Sequence, residues 1–288
     1  MSAPPVVRTV HDLRVAVSGW RRAGERVGLV PTMGGLHEGH LSLVEVARRH
    51  APRTIASIFV NPTQFGAGED FEAYPRDEQR DAAMLGEAGC DLIYAPTPDA
   101  MYPDGHQTLV RVEELTGVMC GAHRPGHFDG VTTVVAKLLS QAAPHVAVFG
   151  EKDWQQLAAI RRLARDLDFP VEIVGAPLVR EADGLAMSSR NRYLSDEQRG
   201  VANTLYRALA ASAQMIAAGH PIDQVEEGCA RIIRQAGFER VDYVEARHAG
   251  TLARVTEHGE APARLFAAAH LGRARLIDNV PIPAPTQD

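Results

Sequence analysis

Short apolar segments alternate with amphipathic segments through the first 175 residues, and this alternation restricts the possible folds more than any other feature. The apolar segments are continuous, as buried parallel strands are, and cover residues 26–30, 54–60, 91–95, 145–150 and 171–175. The amphipathic segments carry apolar residues at helical spacing and cover residues 41–50, 76–89, 128–142 and 153–167. The pattern predicts an α/β fold with a Rossmann-like, doubly wound parallel sheet, whose ligands bind beyond the carboxyl ends of the strands.

A different pattern follows residue 176. Helical spacing covers residues 196–219 and 221–236, and strands are predicted at 242–249, 263–271 and 274–280. We therefore predict a Rossmann-like domain over residues 1–176 and a smaller α+β C-terminal domain over residues 177–288. The junction, residues 177–195, is polar and mixes charged residues with serines, which is typical of a hinge or an active-site loop.

Charge and cysteine content exclude several classes of protein. The chain has 30 Lys and Arg against 36 Asp and Glu, a formal net charge of −6, and contains no basic block, so we expect no nucleic-acid partner. Its three cysteines form no CxxC pair, which argues against a disulfide framework or a zinc knuckle. No 18-residue apolar run and no signal-peptide pattern occur, so we expect a cytoplasmic protein without a membrane partner.

Residues 30–44, VPTMGGLHEGHLSLV, hold the most informative motif. A buried strand enters a Gly34-Gly35 turn, and a helix begins near His37 to His40, where backbone N–H groups and the positive end of the helix can receive a phosphate. Gly39 would let a bulky ligand approach the backbone. Zinc-protease motifs place two histidines four residues apart and do not fit the three-residue spacing seen here. A purely structural turn with capping histidines is the alternative.

Two further segments follow predicted strands. Asn61, Gln64 and either Gln155 or Gln156 offer neutral amides that bind hydroxyls or a carboxylate without burying an unpaired charge, although a simple turn also explains Asn61-Pro62. Lys152 is one of only two lysines and lies beside a predicted helix start. That position favours a phosphate contact over a solvated surface lysine.

Polar loops complete the set of candidate residues. Residues 185–195, LAMSSRNRYLS, place two serines, Arg190 and Asn191 in the junction, where they could close over a polyphosphate. His123, Arg124 and His127 precede a predicted helix and either add charge to the same rim or remain solvated.

Five segments, in their order along the chain, resemble the pantoate–β-alanine ligase family: TMGGLHEGH, FVNPTQFGAGEDFEAYPRD, HRPGHFDGV, FGEKDWQQL and AMSSRNRYLS. The resemblance implies membership of the nucleotidylyltransferase superfamily, whose His-x-x-His signature binds ATP. It implies an enzyme of pantothenate biosynthesis, the route to coenzyme A, that condenses pantoate with β-alanine. The implied reaction uses ATP and Mg²⁺, passes through a pantoyl-adenylate and yields AMP and pyrophosphate. Family members are typically homodimers.

The resemblance also implies roles for individual residues. It assigns catalysis to His37, His40, Lys152 and Arg190. It assigns ATP binding to Met33, His40, Gly150, Lys152, Asp153, Val179, Met187, Ser188, Ser189 and Arg190. Gln64 and Gln156 would hold pantoate, and Asp153 would contact the ribose or the metal, while the ligands of Mg²⁺ stay unassigned. Gly35 and Trp154 depart from the family's common Ala and Tyr, and the Gly35 change is expected to loosen the turn.

Three other functions compete with this hypothesis. A different nucleotidylyltransferase would share the histidine turn but would not need the two pantoate amides. A class I aminoacyl-tRNA synthetase would need a tRNA-binding surface, which an acidic chain of this length has little room for. A non-catalytic domain that senses ATP would keep the fold without turnover.

Overall fold

The computed structural model describes residues 3–257, 259 and 261–284. Residues 1–2 of the predicted Rossmann-like domain and residues 285–288 of the predicted C-terminal domain lie outside the described residues.

A parallel sheet forms the larger part of the molecule, as the sequence predicts, but it has six strands where the sequence analysis found five. Its strands are β1 (Val6–Val7), β2 (Val27–Thr32), β3 (Arg53–Ile58), β4 (Leu92–Tyr94), β5 (Val146–Gly150) and β6 (Glu172–Ala176). Their order in the sheet is β1-β4-β3-β2-β5-β6, and every pairing is parallel. The chain moves outward from β2 in one direction and then returns to β5 on its other side. Such a reversal of strand order opens a crevice between β2 and β5.

Helices cover both faces of this sheet, which confirms the doubly wound prediction. The longer helices are α1 (Val10–Arg22), α2 (Glu38–His50), α3 (Glu78–Glu87), α7 (His127–Ala142) and α8 (Trp154–Asp166). Three single-turn helices lie before α7: α4 (Pro98–Met101), α5 (Glu113–Thr116) and α6 (Cys120–His123). Successive side chains of a strand point to opposite faces of the sheet. Leu29 therefore packs in one core with α1, α7 and α8, whereas Val30 packs in another with α2 and α3.

The smaller α+β unit also agrees with the sequence. It contains α9 (Asp196–Ala202), α10 (Thr204–Ala217), α11 (Ile222–Gln235) and an antiparallel sheet of β7 (Arg240–His248), β8 (Ala263–Leu271) and β9 (Ala274–Ile282). The prediction of one continuous helix over 196–219 is wrong. The helix is interrupted at Asn203, whose side-chain amide donates to the carbonyl of Asp183 (3.4 Å). This hydrogen bond joins the helix break to a loop 20 residues earlier in the chain.

The first 25 residues hold two elements that the sequence analysis missed, β1 and α1. Thr9 caps α1 by accepting from the N–H of Asp12 (3.1 Å), and Leu13 and Val17 are buried one turn apart. This capping signal was present in the sequence. In the described part of the chain, no helix has the length and apolar character needed to cross a membrane.

Candidate active site

A cleft of about 230 Å³ opens beyond the carboxyl ends of β2 and β5, where the strand order reverses. The structure brings every residue proposed for ATP, pantoate or catalysis to this one cleft. They are Met33, His37, His40, Gln64, Gly150, Lys152, Asp153, Gln156, Val179, Met187, Ser188, Ser189 and Arg190. Residues from five separate sequence segments therefore meet at one edge of the sheet.

The Gly34-Gly35 turn is held by a carboxylate. Both glycines have positive φ (+83° and +62°), a conformation that favours glycine. The buried Asp81 carboxylate of α3 accepts from the N–H groups of Gly35 (2.8 Å) and Leu36 (2.9 Å). The N–H of Gly34 donates to the Thr32 hydroxyl (3.2 Å). The N–H groups of Gly34, Gly35 and Leu36 are thus satisfied within the protein.

The start of α2 remains open to an anion. In the described residues, the N–H groups of Glu38 and Gly39 at its first two positions donate to no protein acceptor. Unpaired N–H groups and the positive end of the helix favour a negatively charged ligand there. These free N–H groups lie at the helix start, where the sequence predicts an anion to bind.

His37 and His40 lie against each other, with ring centroids 4.1 Å apart. The backbone N–H of His37 donates to Nδ1 of His40 (3.3 Å), which leaves the proton of the neutral His40 ring on Nε2. Burial and the neighbouring His37 hold the pKa of His40 well below its usual value. Burial and the Lys152 charge lower the pKa of His37 to about 4. Both rings are therefore neutral at pH 7, and His40 can donate a hydrogen bond but supplies no charge.

Gly39 is needed for a reason that the sequence did not reveal. A Cβ at this position would lie 2.9 Å from Cε1 of His37. The small residue thus makes room for the histidine ring as well as for any ligand near the backbone.

The loop of residues 187–193 docks on the glycine turn. The Ser189 hydroxyl donates to the carbonyl of Gly35 (3.0 Å), and Ser188 caps the turn by accepting from the N–H of Arg190 (3.3 Å). Gly35 is bonded through both its N–H and its carbonyl, and its positive φ favours glycine. The Arg190 guanidinium pairs with both carboxylate oxygens of Asp70 (2.8 and 3.0 Å).

Lys152 lies in a 3-10 turn between β5 and α8, with Nζ 3.7 Å from Oδ2 of Asp153. The small sheet holds this turn in place: the buried Asn279 amide of β9 donates to the carbonyls of Glu151 (3.0 Å) and Lys152 (3.1 Å). Trp154 adds a second link through its indole N–H to the carbonyl of Ala249 (2.7 Å). The position of the lysine thus depends on both structural units.

The two adjacent glutamines of α8 differ in what they contact. Gln155 is buried; its amide donates to the carbonyls of Leu115 and Val118 and accepts from the N–H of Cys120. Gln156 lines the cleft. Of the two side chains, Gln156 therefore faces the cleft, whereas Gln155 is used in contacts within the protein.

Gln64 is held by its neighbours at the end of a 3-10 turn, Pro62–Gln64. Its side-chain oxygen accepts from the Asn61 amide (3.1 Å), and its nitrogen contacts the sulfur of Met33 (3.0 Å). Asn61 itself is 1% exposed and also donates to the carbonyl of Gly130 (3.1 Å). Asn61 therefore orients Gln64, which faces the cleft.

His127 and Arg124, whose role the sequence left open, lie on the cleft wall beside Gln64. Arg124 pairs with both carboxylate oxygens of Glu69 (2.7 and 2.6 Å) and donates to Nε2 of His127 (2.9 Å). Burial opposes ionisation of Glu69, but the hydrogen bonds and charge of Arg124 lower its pKa to about 2. His123, by contrast, is exposed and stacks near Tyr243 under the small sheet.

Sequence reasoning missed three residues that shape the cleft: Asp81, Asn279 and Glu69. Each is distant in sequence from the groups that it holds, so local pattern gave no signal for the pairing. The sequence offers one indirect signal: a polar residue at a position predicted to be buried needs a hydrogen-bond partner, although the sequence does not say which.

A family model described as pantoate-beta-alanine ligase matches residues 5–281. Pantothenate synthetase of Sphingopyxis alaskensis is 56% identical over 277 residues, covering 96% of this chain and 99% of that protein.

Solved structures give the same result. A crystal structure of pantothenate synthetase from Thermus thermophilus superposes with a TM-score of 0.90 at 50% identity, covering 96% of this chain and 99% of that one. Pantoate-beta-alanine ligase from Francisella tularensis, complexed with beta-gamma ATP and beta-alanine, has a TM-score of 0.82 at 30% identity. That match covers 99% of this chain and 100% of the other.

Proposed function

The chain belongs to the pantoate–β-alanine ligase family, and from that premise we propose how its cleft joins pantoate to β-alanine with ATP as co-substrate. The proposal is that ATP lies over the start of α2 and that pantoate lies between Gln64 and Gln156. The observation that supports it most is the meeting of these two sets of groups in one cleft at the switch point between β2 and β5.

Pantoate fits the inner part of the cleft chemically. Gln64 and Gln156 supply neutral amides for its hydroxyl and carboxylate groups, while Val131, Val134 and Val135 of α7 supply an apolar wall. Pantoate is a small dihydroxy acid with two methyl groups on one carbon. A site that combines amides with branched apolar side chains complements both of its ends.

The carboxylate of pantoate needs activation, because its charge is delocalised and oxide is a poor leaving group. Its oxygen attacks the α-phosphorus of ATP, the bond to pyrophosphate breaks, and pantoyl-adenylate forms. The amine of β-alanine then attacks the carbonyl carbon, loses a proton and releases AMP.

The chain's own groups stabilise the charge that develops on phosphate. His40 donates a neutral hydrogen bond, Lys152 supplies a mobile positive charge, and Arg190 reaches the phosphates by exchanging its Asp70 partner. His37 supports the ring of His40 from the side. No protein nucleophile is required, so positioning and charge stabilisation carry the reaction.

The remaining ATP-binding assignments follow the outline of the cleft. Met33 and Gly150 lie at the ends of β2 and β5, and Val179 is joined to Met187 by a main-chain hydrogen bond (3.1 Å) on the opposite rim. Ser188 and Ser189 fold the connecting loop against the glycine turn. We assign the rim of Val179 and Met187 to the nucleoside of ATP, and Ser188 and Ser189, with Arg190, to the loop that closes on the phosphates.

Mg²⁺ fits as an ion carried by the nucleotide. Among the described residues, no group of three or more His, Cys, Asp or Glu side chains is arranged to hold a metal. Mg²⁺ commonly binds through phosphates and water with one or two protein carboxylates, and it neutralises phosphate charge. The half-exposed Asp153 would supply such a carboxylate in the cleft.

Product analysis tests the reaction. Incubation with pantoate, β-alanine, ATP and Mg²⁺ should yield AMP and pyrophosphate in equal amounts with pantothenate. When β-alanine is left out and ATP, Mg²⁺ and pantoate are present, the enzyme should exchange labelled pyrophosphate into ATP. Stoichiometric ADP would refute the adenylate route, and products only from another acid or alcohol would favour a different nucleotidylyltransferase.

The resemblance also supports three broader proposals. We place the domain boundary at residues 176 and 177, with residues 177–195 as a hinge that lets the small unit close over the adenylate. We propose that the enzyme is a homodimer, which sedimentation at micromolar concentration would test. We also propose a cytoplasmic location, which cell fractionation would test.

A further inference from the structure

Both ring nitrogens of His127 are engaged by the protein. Arg124 has only N–H donors, so Nε2 of His127 must accept from it (2.9 Å). Nδ1 then carries the proton and donates to the main-chain carbonyl of Gln64 (2.8 Å). Burial and the Arg124 charge lower the pKa of His127 to about 4, which keeps the ring neutral at pH 7. The ring therefore has no nitrogen left for a direct contact with substrate.

The arginine that fixes this tautomer is itself held in place. Glu69 binds the Arg124 guanidinium through two hydrogen bonds of 2.7 and 2.6 Å, and the two side chains are only 26% and 16% exposed. A two-point pair between planar groups sets the orientation of the guanidinium. The remaining face of Arg124 is thereby directed at His127.

Two residues of α7 contact the main chain of Gln64. His127 binds its carbonyl, and Gly130 packs so closely that a Cβ there would lie 2.6 Å from the Gln64 nitrogen. The side-chain amide of Gln64 leaves from this main chain into the cleft. A shift of the carbonyl would therefore displace the amide by a similar distance.

We propose that His127 is a positioning residue for Gln64. Glu69 and Arg124 hold its ring in the Nδ1–H tautomer, and the ring fixes the main chain from which the pantoate-binding amide projects. This inference rests on the proposed binding of pantoate by Gln64.

Calorimetric titration with pantoate and, separately, with ATP tests the proposal. His127→Leu removes the donor and should weaken pantoate binding about tenfold, because one buried hydrogen bond is lost, while ATP affinity scarcely changes. His127→Asn places an N–H where Nδ1 lies and should restore most of the pantoate affinity. Unchanged pantoate affinity in His127→Leu, or an equal loss of ATP affinity, would overturn the proposal.

Two further variants keep the test decisive if His127→Leu fails to fold. Glu69→Gln keeps one acceptor for Arg124 but removes the charge of the pair, and should raise the Kd for pantoate about threefold. Asp129 lies on α7 with His127 and forms a two-point pair with Arg111. Asp129→Asn weakens that pair in the same way and is the matched control, for which we expect no change in pantoate affinity. An equal effect in both variants would overturn the inference.

A spectroscopic measurement reads the tautomer directly. Long-range ¹H–¹⁵N NMR spectra of the wild-type protein should show His127 protonated at Nδ1, and Glu69→Gln should move the ring toward exchange between tautomers. A wild-type ring protonated at Nε2 would overturn the inference. Failure of the wild-type protein to bind pantoate at all would instead refute the proposed function of the cleft.

Discussion

Replacement of Asp81 should show how strongly one buried carboxylate supports the histidine turn. Asp81 is 1% exposed and accepts from the N–H groups of Gly35 and Leu36, which are also buried. Asp81→Ala leaves both donors without an acceptor, at about 1–3 kcal/mol each. The free energy of unfolding should therefore fall by about 2–6 kcal/mol, which is at the upper end of single-substitution effects.

The same change should also weaken ATP binding. Asp81 does not line the cleft, but the turn that it holds leads directly into His37 and the first residues of α2. A relaxed turn should misplace these groups and reduce ATP affinity about tenfold, equivalent to about 1.4 kcal/mol. Asp81→Asn keeps the shape and one acceptor, so its effects should be intermediate.

Urea unfolding and calorimetric titration with ATP measure the two effects. Asp77→Ala is the matched control, because Asp77 lies in the same helical start and caps α3 by accepting from the N–H of Arg80 (3.0 Å) on the exposed surface. It should cost about 1 kcal/mol and leave ATP affinity unchanged. If Asp81→Ala were no more destabilising than Asp77→Ala, the carboxylate would not hold the turn.

Three other predictions use matched residues. Lys152→Ala should slow single-turnover adenylation about 10²- to 10³-fold, whereas Lys137→Ala, whose ammonium lies over the Tyr102 ring outside the cleft, should not; equal losses would refute the assignment. Gln156→Ala should weaken pantoate binding about ten- to a hundredfold with normal stability, whereas Gln155→Ala should lower stability in urea instead; reversed results would exchange their roles. Because the pKa of His127 falls from 6.5 to about 4 on folding, the unfolded state binds more protons in this window, so stability should decrease as pH falls from 6.5 to 4. The decrease in stability should be smaller in His127→Asn. If stability depended on pH equally in the variant and the wild-type protein, His127 would not be held neutral in the folded state.

The sequence predicted the fold well where patterns were local and long. Continuous apolar strands and amphipathic helices indicated the parallel sheet, because burial on both faces leaves a signal within each segment. The short β1 lacked such a signal, since two residues carry no periodicity. The break at Asn203 was missed because it depends on a hydrogen bond to Asp183 in another segment.

The cleft residues were predictable because the carboxyl ends of parallel strands meet at one edge. The residues that hold the cleft residues in place could not be predicted, because each of them contacts a segment far away in the chain. Asp81 and Asn279 show this: one is read from sequence as part of an ordinary helix and the other as part of a strand, yet they hold the glycine turn and the Lys152 turn. Only the three-dimensional structure gives these pairings.

Transfer of oxygen from pantoate to AMP tests the central claim most directly. If the carboxylate attacks the α-phosphorus, the bridging oxygen of the adenylate stays on phosphorus when β-alanine attacks the carbonyl carbon. With pantoate labelled by ¹⁸O at both carboxylate oxygens, mass spectrometry should find one ¹⁸O in AMP, one in the amide of pantothenate and none in pyrophosphate. Unlabelled AMP, or label in inorganic phosphate or pyrophosphate, would contradict the account.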